Sequence, residues 1–366
     1  MRAVFFVARL DSGGLENYLL RFLTEYHDRF ETVFIWCKSG ESGQLDKSFL
    51  AFGNVNLVKS KLGYLDLRSY ECLISFLSVQ NINTVCDFTG NFSGRVLAAA
   101  NRARVAKRVS AYRGSSDHFR DDPFRRLYNR WVRMLTLKHS TNIIANSKAA
   151  LRFFFPGQWR KDSRFSVIYN GVNPSHFIQE TNNLREEFGI PRNAFVVGHT
   201  GRFNEAKNHS TIFAVAQRLV EKYADIYFIL CGNGVKDKSD ELLRKNGLQD
   251  RVLVFENRND IPAFLNTMDC YFFPSVTEGQ PNALIEAMIM GLPFVASDIP
   301  PVRETVGDSS SLYSPLDVGA LSGAIEAKYL AREGRDFELQ KAMIERFDYR
   351  VRFEEFYEVL STPSPV

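Results

Sequence analysis

Short apolar runs rich in β-branched and aromatic residues alternate along the chain with longer stretches that are apolar on one helical face. The short runs predict buried strands, and the longer stretches predict helices between them. This alternation is typical of a parallel sheet covered by helices on both faces. In the first half the predicted strands are Ala3–Ala8, Thr32–Cys37, Val55–Lys59, Asn83–Cys86, Arg108–Tyr112, Asn142–Ala145 and Ser166–Tyr169, with helices at Leu15–His27, Leu67–Val79, Pro123–Leu137 and Lys148–Phe154.

The same pattern then restarts after the turn-rich segment Asn170–Pro174, which we interpret as a hinge. A chain of 366 residues is too long for one compact core, so we expect an α/β protein with domains at 1–172 and 173–345, and a final helix within 346–366. The second half has predicted strands at Phe195–Thr200, Ile226–Leu230, Val252–Phe255, Cys270–Phe273 and Phe294–Ala296, and helices at His209–Tyr223, Asp240–Lys245, Asn282–Met290, Gly319–Ala331 and Tyr349–Leu360.

Composition indicates the cellular compartment and argues against a membrane-spanning or disulfide-linked protein. The first apolar run is short and meets Arg9 and Asp11, so it predicts a strand and not a signal peptide. No stretch approaches the roughly 18 apolar residues of a membrane span. The five cysteines are scattered and form no C-x-x-C pair, which argues against a disulfide framework or a zinc site. We therefore expect a cytoplasmic protein.

Charge is unevenly distributed. Residues 1–172 hold 26 Lys and Arg against 14 Asp and Glu, a net charge of +12, whereas the remainder holds 20 against 28, a net charge of −8. The segment Asp121–His139 mixes basic and aromatic residues on one predicted helix, which fits contact with an anionic membrane or, equally, a core-packed helix with a solvated basic face. Nucleic-acid binding fits poorly, because the basic half also carries ligand-site glycines.

Ligands of open parallel sheets bind beyond the carboxyl ends of the strands, so the loops after strands are where we look for chemistry. After the first strand, Gly13 and Gly14 precede a helix whose free N–H groups favour an anion. No G-x-G-x-x-G dinucleotide fingerprint is present. The alternative is a tight strand-to-helix turn without a ligand.

After the first strand of the second half, the loop Gly201–Asn208 carries Arg202 and Lys207. Two fixed cations suit a leaving diphosphate that no metal neutralises. The alternative is a solvated loop.

A third loop leads into the predicted helix that begins at Asn282. Pro281 suits the first turn of this helix, and the N–H groups around Asn282, Ala283 and Leu284 are predicted to face a phosphate. Glu278 lies in the loop, and Glu286 lies inside the helix among apolar neighbours. Ligand hydroxyls would satisfy a partly buried Glu286, and an internal cap or ion pair is the alternative.

These motifs resemble glycosyltransferase family 4. The segment TEGQPNALIEAMIMGLPFVASD, with its E-x7-E pair, resembles the donor-site signature, and GRFNEAKN resembles the phosphate-gripping loop. VIYNGVN resembles the interdomain segment, and GG-L-E at Gly13 resembles the acceptor-side glycine loop. The resemblance implies a GT-B fold, with two Rossmann-like domains facing across a cleft and a C-terminal helix that crosses back to the first. It also implies retention of anomeric configuration and no metal or other cofactor, and the lack of a D-x-D motif agrees.

Carried over by position, the resemblance implies that Arg202 and Lys207 hold the donor diphosphate, Glu286 the ribose and Glu278 the sugar. The first domain would bind a glycan or lipid-linked acceptor, and the second a nucleotide-diphosphate sugar. The resemblance implies a hexose or N-acetylhexosamine donor used for cell-surface polysaccharide. The rest of the expected donor site is Gly201, Asn208, Gly279, Asn282, Ala283 and Leu284, and the expected acceptor or phosphate loop is Gly13, Gly14, Arg113 and His118.

The sequence departs from the family in two places. Relatives carry a His-containing stretch where this chain has Arg113, with Asp117 and His118 just beyond, and they often carry Gly where Glu256 stands. The sequence therefore leaves two questions open: which of Arg113, Asp117 and His118 lies near the donor sugar, and which nucleotide base the donor carries. A sugar-nucleotide epimerase or phosphorylase of the same fold is the alternative enzyme, and a non-catalytic nucleotide-sugar-binding subunit is the alternative from another class.

Overall fold

The computed structural model describes residues 1–11, 13–63, 66–114, 123–307 and 310–362. The contacts divide the chain into two compact units. Unit 1 is Met1–Asn170 together with Arg350–Val366, and unit 2 is Gly171–Tyr349.

Unit 1 contains a seven-stranded sheet in the order β3-β2-β1-β4-β5-β6-β7, in which every neighbouring pair is parallel. Five of its strands have four to six residues that are mostly buried, as the apolar runs predict. The strands are β1 Arg2–Val7, β2 Thr32–Cys37, β3 Val55–Lys59, β4 Thr84–Asp87, β5 Lys107–Tyr112, β6 Asn142–Ala145 and β7 Phe165–Val167. The helices are α1 Gly14–Tyr26, α2 Asp46–Leu50, α3 Leu67–Val79, α4 Gly94–Arg102, α5 Pro123–His139, α6 Lys148–Phe154 and, from the end of the chain, α15 Tyr349–Ser361.

Helix α15 packs on unit 1 through aromatic side chains. Phe353 and Phe356 are buried, and the Phe356 ring lies 4.8 Å from Phe22 and 5.9 Å from Tyr18 on α1. On the same helix, Glu354 accepts hydrogen bonds from the Tyr26 hydroxyl and the Arg29 guanidinium, each at 2.9 Å. The last helix of the chain is therefore an integral part of the core of unit 1.

Unit 2 contains a six-stranded parallel sheet in the order β10-β9-β8-β11-β12-β13. Its core joins β8, β9 and β11 to α8 and α13. The strands are β8 Phe195–Thr200, β9 Ile226–Cys231, β10 Val252–Phe255, β11 Cys270–Phe273, β12 Phe294–Ser297 and β13 Leu312–Tyr313. The helices are α7 Ser175–Ile178, α8 His209–Lys222, α9 Val235–Lys245, α10 Ile261–Asn266, α11 Asn282–Ile289, α12 Pro300–Val306, α13 Val318–Ala331 and α14 Phe337–Arg346.

In both sheets the first strand of the unit is third in spatial order, and the chain winds outward from it first to one side and then to the other. This arrangement places the loops after β1 and β8 at the points where the strand order reverses, and ligands bind at such points. Within the described residues, no helix is both long enough and apolar enough to span a bilayer.

Candidate functional site

The site in unit 2 is built on the loop after β8. Asn204 caps a short 3₁₀ turn, Glu205–Lys207, by accepting the Lys207 N–H at 3.0 Å. Asn208 has φ +56°, and its side-chain amide donates to the carbonyls of Pro274 and Pro315 at 3.1 and 2.8 Å. The Asn208 amide therefore anchors the loop to the segments after β11 and β13.

Two glycines allow the loops after β8 and β9 to touch. Gly232 has φ +152°, and a Cβ there would stand 2.2 Å from the Gly201 carbonyl oxygen. Any side chain at this position would push the Gly201–Arg202 backbone away. The close packing fixes the position at which the Gly201–Lys207 loop, called the cationic loop below, begins.

Lys207 and Glu278 are brought together across 71 positions of sequence. Lys207 Nζ lies 2.6 Å from Glu278 Oε1 and 4.8 Å from the centre of the Phe273 ring. Both side chains are largely buried, with 18% and 12% of their surfaces exposed. A short, buried ion pair of this kind fixes both groups in place.

Arg202 is different. It is exposed, and among the described residues no hydrogen bond or ion pair holds its side chain. A guanidinium in this position is available to an incoming anion.

The loop after β11 leads through Gly279 into α11. The N-cap residue of this helix is Pro281, which provides no side-chain cap. The N–H groups of Ala283 and Leu284 lie in the first turn and lack an intrahelical partner, whereas the Asn282 N–H already donates to the Gln280 carbonyl at 3.0 Å. Glu286 is half-buried on the second turn, and its charge is close enough to the buried Tyr271 to help raise the pKa of that phenol, after the larger effect of burial.

Glu256, one of the two departures from the family pattern, caps a helix. Its carboxylate accepts the N–H groups of Gly234, Lys236 and Asp237 at 2.7, 3.0 and 3.2 Å. This contact explains why α9 begins at Val235 and not at Asp240 as predicted, because the cap comes from a distant loop.

In unit 1, Gly13 is the N-cap of α1, and its conformation is extended. A Cβ at Gly14 would meet nothing within 4 Å, so packing within the unit does not require glycine there. Arg113 follows β5, and its guanidinium lies 3.7 Å from the centre of the Tyr18 ring and donates to the Asn170 side chain. Asp117 and His118 lie outside the described residues.

The structure thus brings together Gly201, Arg202, Lys207 and Glu278 in one unit, and Gly13, Gly14 and Arg113 near α1 in the other. Sequence reasoning did not identify His199 and His209, which lie beside Lys207. The signal that could have identified His199 is its position two residues before Gly201, in a strand that is otherwise mostly apolar. Among the described residues, no group of three or more His, Cys, Asp or Glu side chains could hold a metal ion.

Comparison with solved structures gives the class of fold. The chain matches Anabaena HepE, solved in complex with UDP and glucose, with a TM-score of 0.81 and 23% identity over 99% of this chain and 100% of that one. Such a match at low identity reports the fold, and the fold class is GT-B, as predicted from sequence.

Comparison with sequence families gives the family. The model for glycosyl transferases group 1 matches residues 180–347, and the model for Glycosyltransferase Family 4 matches residues 12–176. The chain belongs to glycosyltransferase family 4, as its motifs predicted.

Individual relatives are also glycosyltransferases. The chain is 28% identical, over 290 residues, to the Escherichia coli UDP-Gal:alpha-D-GlcNAc-diphosphoundecaprenol alpha-1,3-galactosyltransferase, a match covering 75% of this chain and 73% of that one. It is 25% identical to the Staphylococcus aureus capsular polysaccharide biosynthesis glycosyltransferase CapH, over 82% of each chain. EpsF of Bacillus subtilis is 31% identical, but the match spans only 45% of this chain and 44% of EpsF.

Proposed function

We propose that this chain transfers a sugar, with retention of configuration, from a nucleoside-diphosphate sugar to a lipid-linked glycan in the synthesis of a bacterial cell-surface polysaccharide. The observation that supports the proposal is the Gly201–Lys207 loop, where an exposed arginine and an ion-paired lysine follow the carboxyl end of β8, and ligands of open parallel sheets bind beyond such strand ends. The Escherichia coli relative acts on an acceptor of the lipid-linked kind.

In the mechanism we propose, Arg202 and Lys207 meet the negative charge that develops on the departing diphosphate, and the uncapped start of α11 adds N–H donors. Glu278, held by Lys207, orients the donor sugar. Glu286 binds the ribose hydroxyls. The acceptor hydroxyl attacks from the face that the diphosphate leaves, and a diphosphate oxygen takes its proton. No metal ion takes part in this scheme.

We also propose that unit 1 binds the acceptor near Gly13, Gly14 and Arg113, and that α5 contacts the anionic membrane carrying it. One face of α5 exposes Leu127, Trp131 and Met134 alongside Arg126, Arg130 and Lys138. The opposite side packs on α4, where a Cβ at Gly94 would stand 2.2 Å from the Val132 carbonyl oxygen. Mixed apolar and cationic exposure on one face suits an anionic lipid surface.

A donor panel tests the proposal. The purified protein is incubated with UDP-, GDP-, ADP- and dTDP-hexoses and N-acetylhexosamines, with and without diphospholipid-linked sugars, and free nucleoside diphosphate is measured. One donor should release nucleoside diphosphate in an acceptor-dependent way, and NMR of the product should show the donor's anomeric configuration. An epimerised sugar nucleotide without release of diphosphate would contradict transfer and support the epimerase alternative.

A further inference from the structure

Two buried histidines in unit 2 have no role in the proposed mechanism. His199 is the next-to-last residue of β8 and is 1% exposed, and His209 is the first residue of α8 and is 2% exposed. Their rings are nearly perpendicular, with centres 5.4 Å apart. Both lie next to the Gly201–Lys207 loop in sequence and in space.

The hydrogen bonding of His199 fixes its tautomer. Its Nδ1 lies 3.0 Å from the backbone carbonyl oxygen of Phe272. Because a carbonyl oxygen can only accept, Nδ1 carries the proton, and Nε2 of the neutral ring is a bare acceptor. No hydrogen-bond partner reaches this buried Nε2 among the described residues. A buried polar atom left unsatisfied in this way requires a physical explanation, and its position beside the loop that carries Arg202 and Lys207 suggests one.

The Nε2 atom is directed at the cationic loop. A Cβ placed on Gly201 would stand 3.1 Å from His199 Nε2 and 3.2 Å from Lys207 Cε. The imidazole edge and the lysine stem therefore flank the same point of the loop. His209, whose ring nitrogens are also buried without a hydrogen-bond partner among the described residues, stacks on Phe203, with ring centres 4.5 Å apart.

The surroundings keep His199 neutral in the free protein. Burial lowers the pKa of His199 well below its usual value, and the charges of His209 and Lys207 lower it further. Burial and Lys207 also lower the pKa of His209, to about 4. The third ionisable group facing the ring, Tyr271, stays neutral because burial raises its pKa. A bound anion beside Lys207 would reverse this balance and favour the imidazolium.

We propose that His199 takes up a proton on Nε2 when a diphosphate binds the Gly201–Lys207 loop, so that the occupied site has three cationic groups and the empty site has two. The inference rests on the proposed function, which places the diphosphate at this loop. The proton comes from solvent, and Nδ1 keeps its hydrogen bond to Phe272. Since the complex holds one more proton than the free protein, diphosphate affinity should fall as pH rises, by up to about tenfold per pH unit.

Titration calorimetry tests the inference. UDP, GDP, ADP, CDP and dTDP are titrated at pH 7.5 in HEPES and in Tris, whose ionisation enthalpies differ, so that protons exchanged on binding are counted. At this pH the terminal phosphate, with a second pKa near 6, is already ionised. The wild type should take up a proton, at most about one per bound nucleotide. Binding without proton uptake overturns the inference alone, whereas no binding of any nucleotide overturns the proposed function with it.

Variants locate the proton. Uptake should disappear in His199→Phe and His199→Gln, of which the second keeps an amide donor for the Phe272 carbonyl. It should persist in His209→Phe and in the matched control His176→Phe, which alters an exposed histidine of the same unit. Uptake that survives in a folded His199 variant, or that disappears only in His209→Phe, overturns the assignment. If both His199 variants fail to fold, the inference is tested on the wild type alone. The number of protons taken up per bound nucleotide and the fall of diphosphate affinity between pH 6.5 and 8 then decide whether it holds.

Discussion

At the scale of single residues, the two cations of the loop have unlike environments. Arg202 is exposed and has no hydrogen-bond or ion-pair partner in the part of the chain that the structure describes, whereas Lys207 is buried against Glu278. Removing Arg202 should therefore cost activity alone, and removing Lys207 should also cost stability, because it removes the ion pair that offsets the burial of the Glu278 carboxylate.

We predict that Arg202→Ala lowers turnover on the order of 100-fold without a change in melting temperature, since it removes one stabiliser of developing charge. Lys207→Ala should lower turnover similarly and melt earlier. Steady-state kinetics and melting curves measure both effects. Arg192→Ala, which changes another exposed arginine of unit 2, is the control. Normal turnover in Arg202→Ala and Lys207→Ala would exclude the diphosphate role.

The two glutamates should also differ. Glu278 is held beside Lys207 in the loop, and Glu286 is fixed within α11. A contact made equally in ground and transition states changes KM, and a contact strengthened in the transition state changes kcat. We predict that Glu278→Gln lowers kcat with diphosphate affinity kept, because Lys207 is freed for the ligand. We predict that Glu286→Gln raises the KM for the donor and weakens the affinity for the diphosphate, each by roughly tenfold or more.

Kinetics and calorimetric titration of the nucleotide on both variants make the comparison. Glu205→Gln, an exposed change in the same loop, is the control. Loss of diphosphate affinity in Glu278→Gln and not in Glu286→Gln would mean that the two roles are reversed. If neither variant differs from the wild type, the pair is structural.

At the scale of elements, α15 is predicted to be essential to unit 1. Phe356→Ala opens a cavity between α15 and the aromatic side chains of α1, which should lower the free energy of unfolding by about 3–5 kcal/mol. Val351→Ala on the same helix changes a side chain that is 46% exposed and is the control. Denaturant unfolding measures the difference. Equal stability of the two variants would show that α15 is not part of the core of unit 1.

Helix α5 gives the second prediction at this scale. Anionic vesicles should bind the protein more tightly than neutral ones, because each Lys or Arg near the surface contributes about 1 kcal/mol. Changing Arg126, Arg130 and Lys138 to Glu should abolish the preference in a co-sedimentation assay. The control changes three exposed cations elsewhere in unit 1, Lys61, Arg68 and Lys161, to Glu, so that net charge is matched. Equal loss of binding in both variants would reduce the effect to net charge alone.

The sequence was most informative about elements whose signal is local. Strands such as Thr32–Cys37 and Cys270–Phe273 match their prediction, because a buried parallel strand reads as one apolar run. The short strand Leu312–Tyr313 was missed, since only its pairing with β12 defines it. Helix α4 was also missed, and its close packing on α5 at Gly94 is a tertiary contact.

At the scale of the whole molecule, the family and the candidate loops could be predicted, but their internal contacts could not. The Lys207–Glu278 pair joins residues 71 positions apart, and the Glu256 cap on α9 joins two separate loops. The tautomer of His199 depends on a hydrogen bond between its Nδ1 and the Phe272 carbonyl of a neighbouring strand. Motifs give the types of residue at a site, and the fold alone determines which of them are paired.

The most direct test of sugar transfer follows a radiolabelled sugar from a water-soluble nucleotide donor into an organic-extractable diphospholipid acceptor, in excess EDTA. The wild type should move the label into the lipid phase as fast as it does without EDTA, and Arg202→Ala should move it on the order of 100 times more slowly. Label that stays in the aqueous phase with every donor and acceptor, or that enters the lipid only when Mg²⁺ or Mn²⁺ is restored, would contradict a metal-independent transferase.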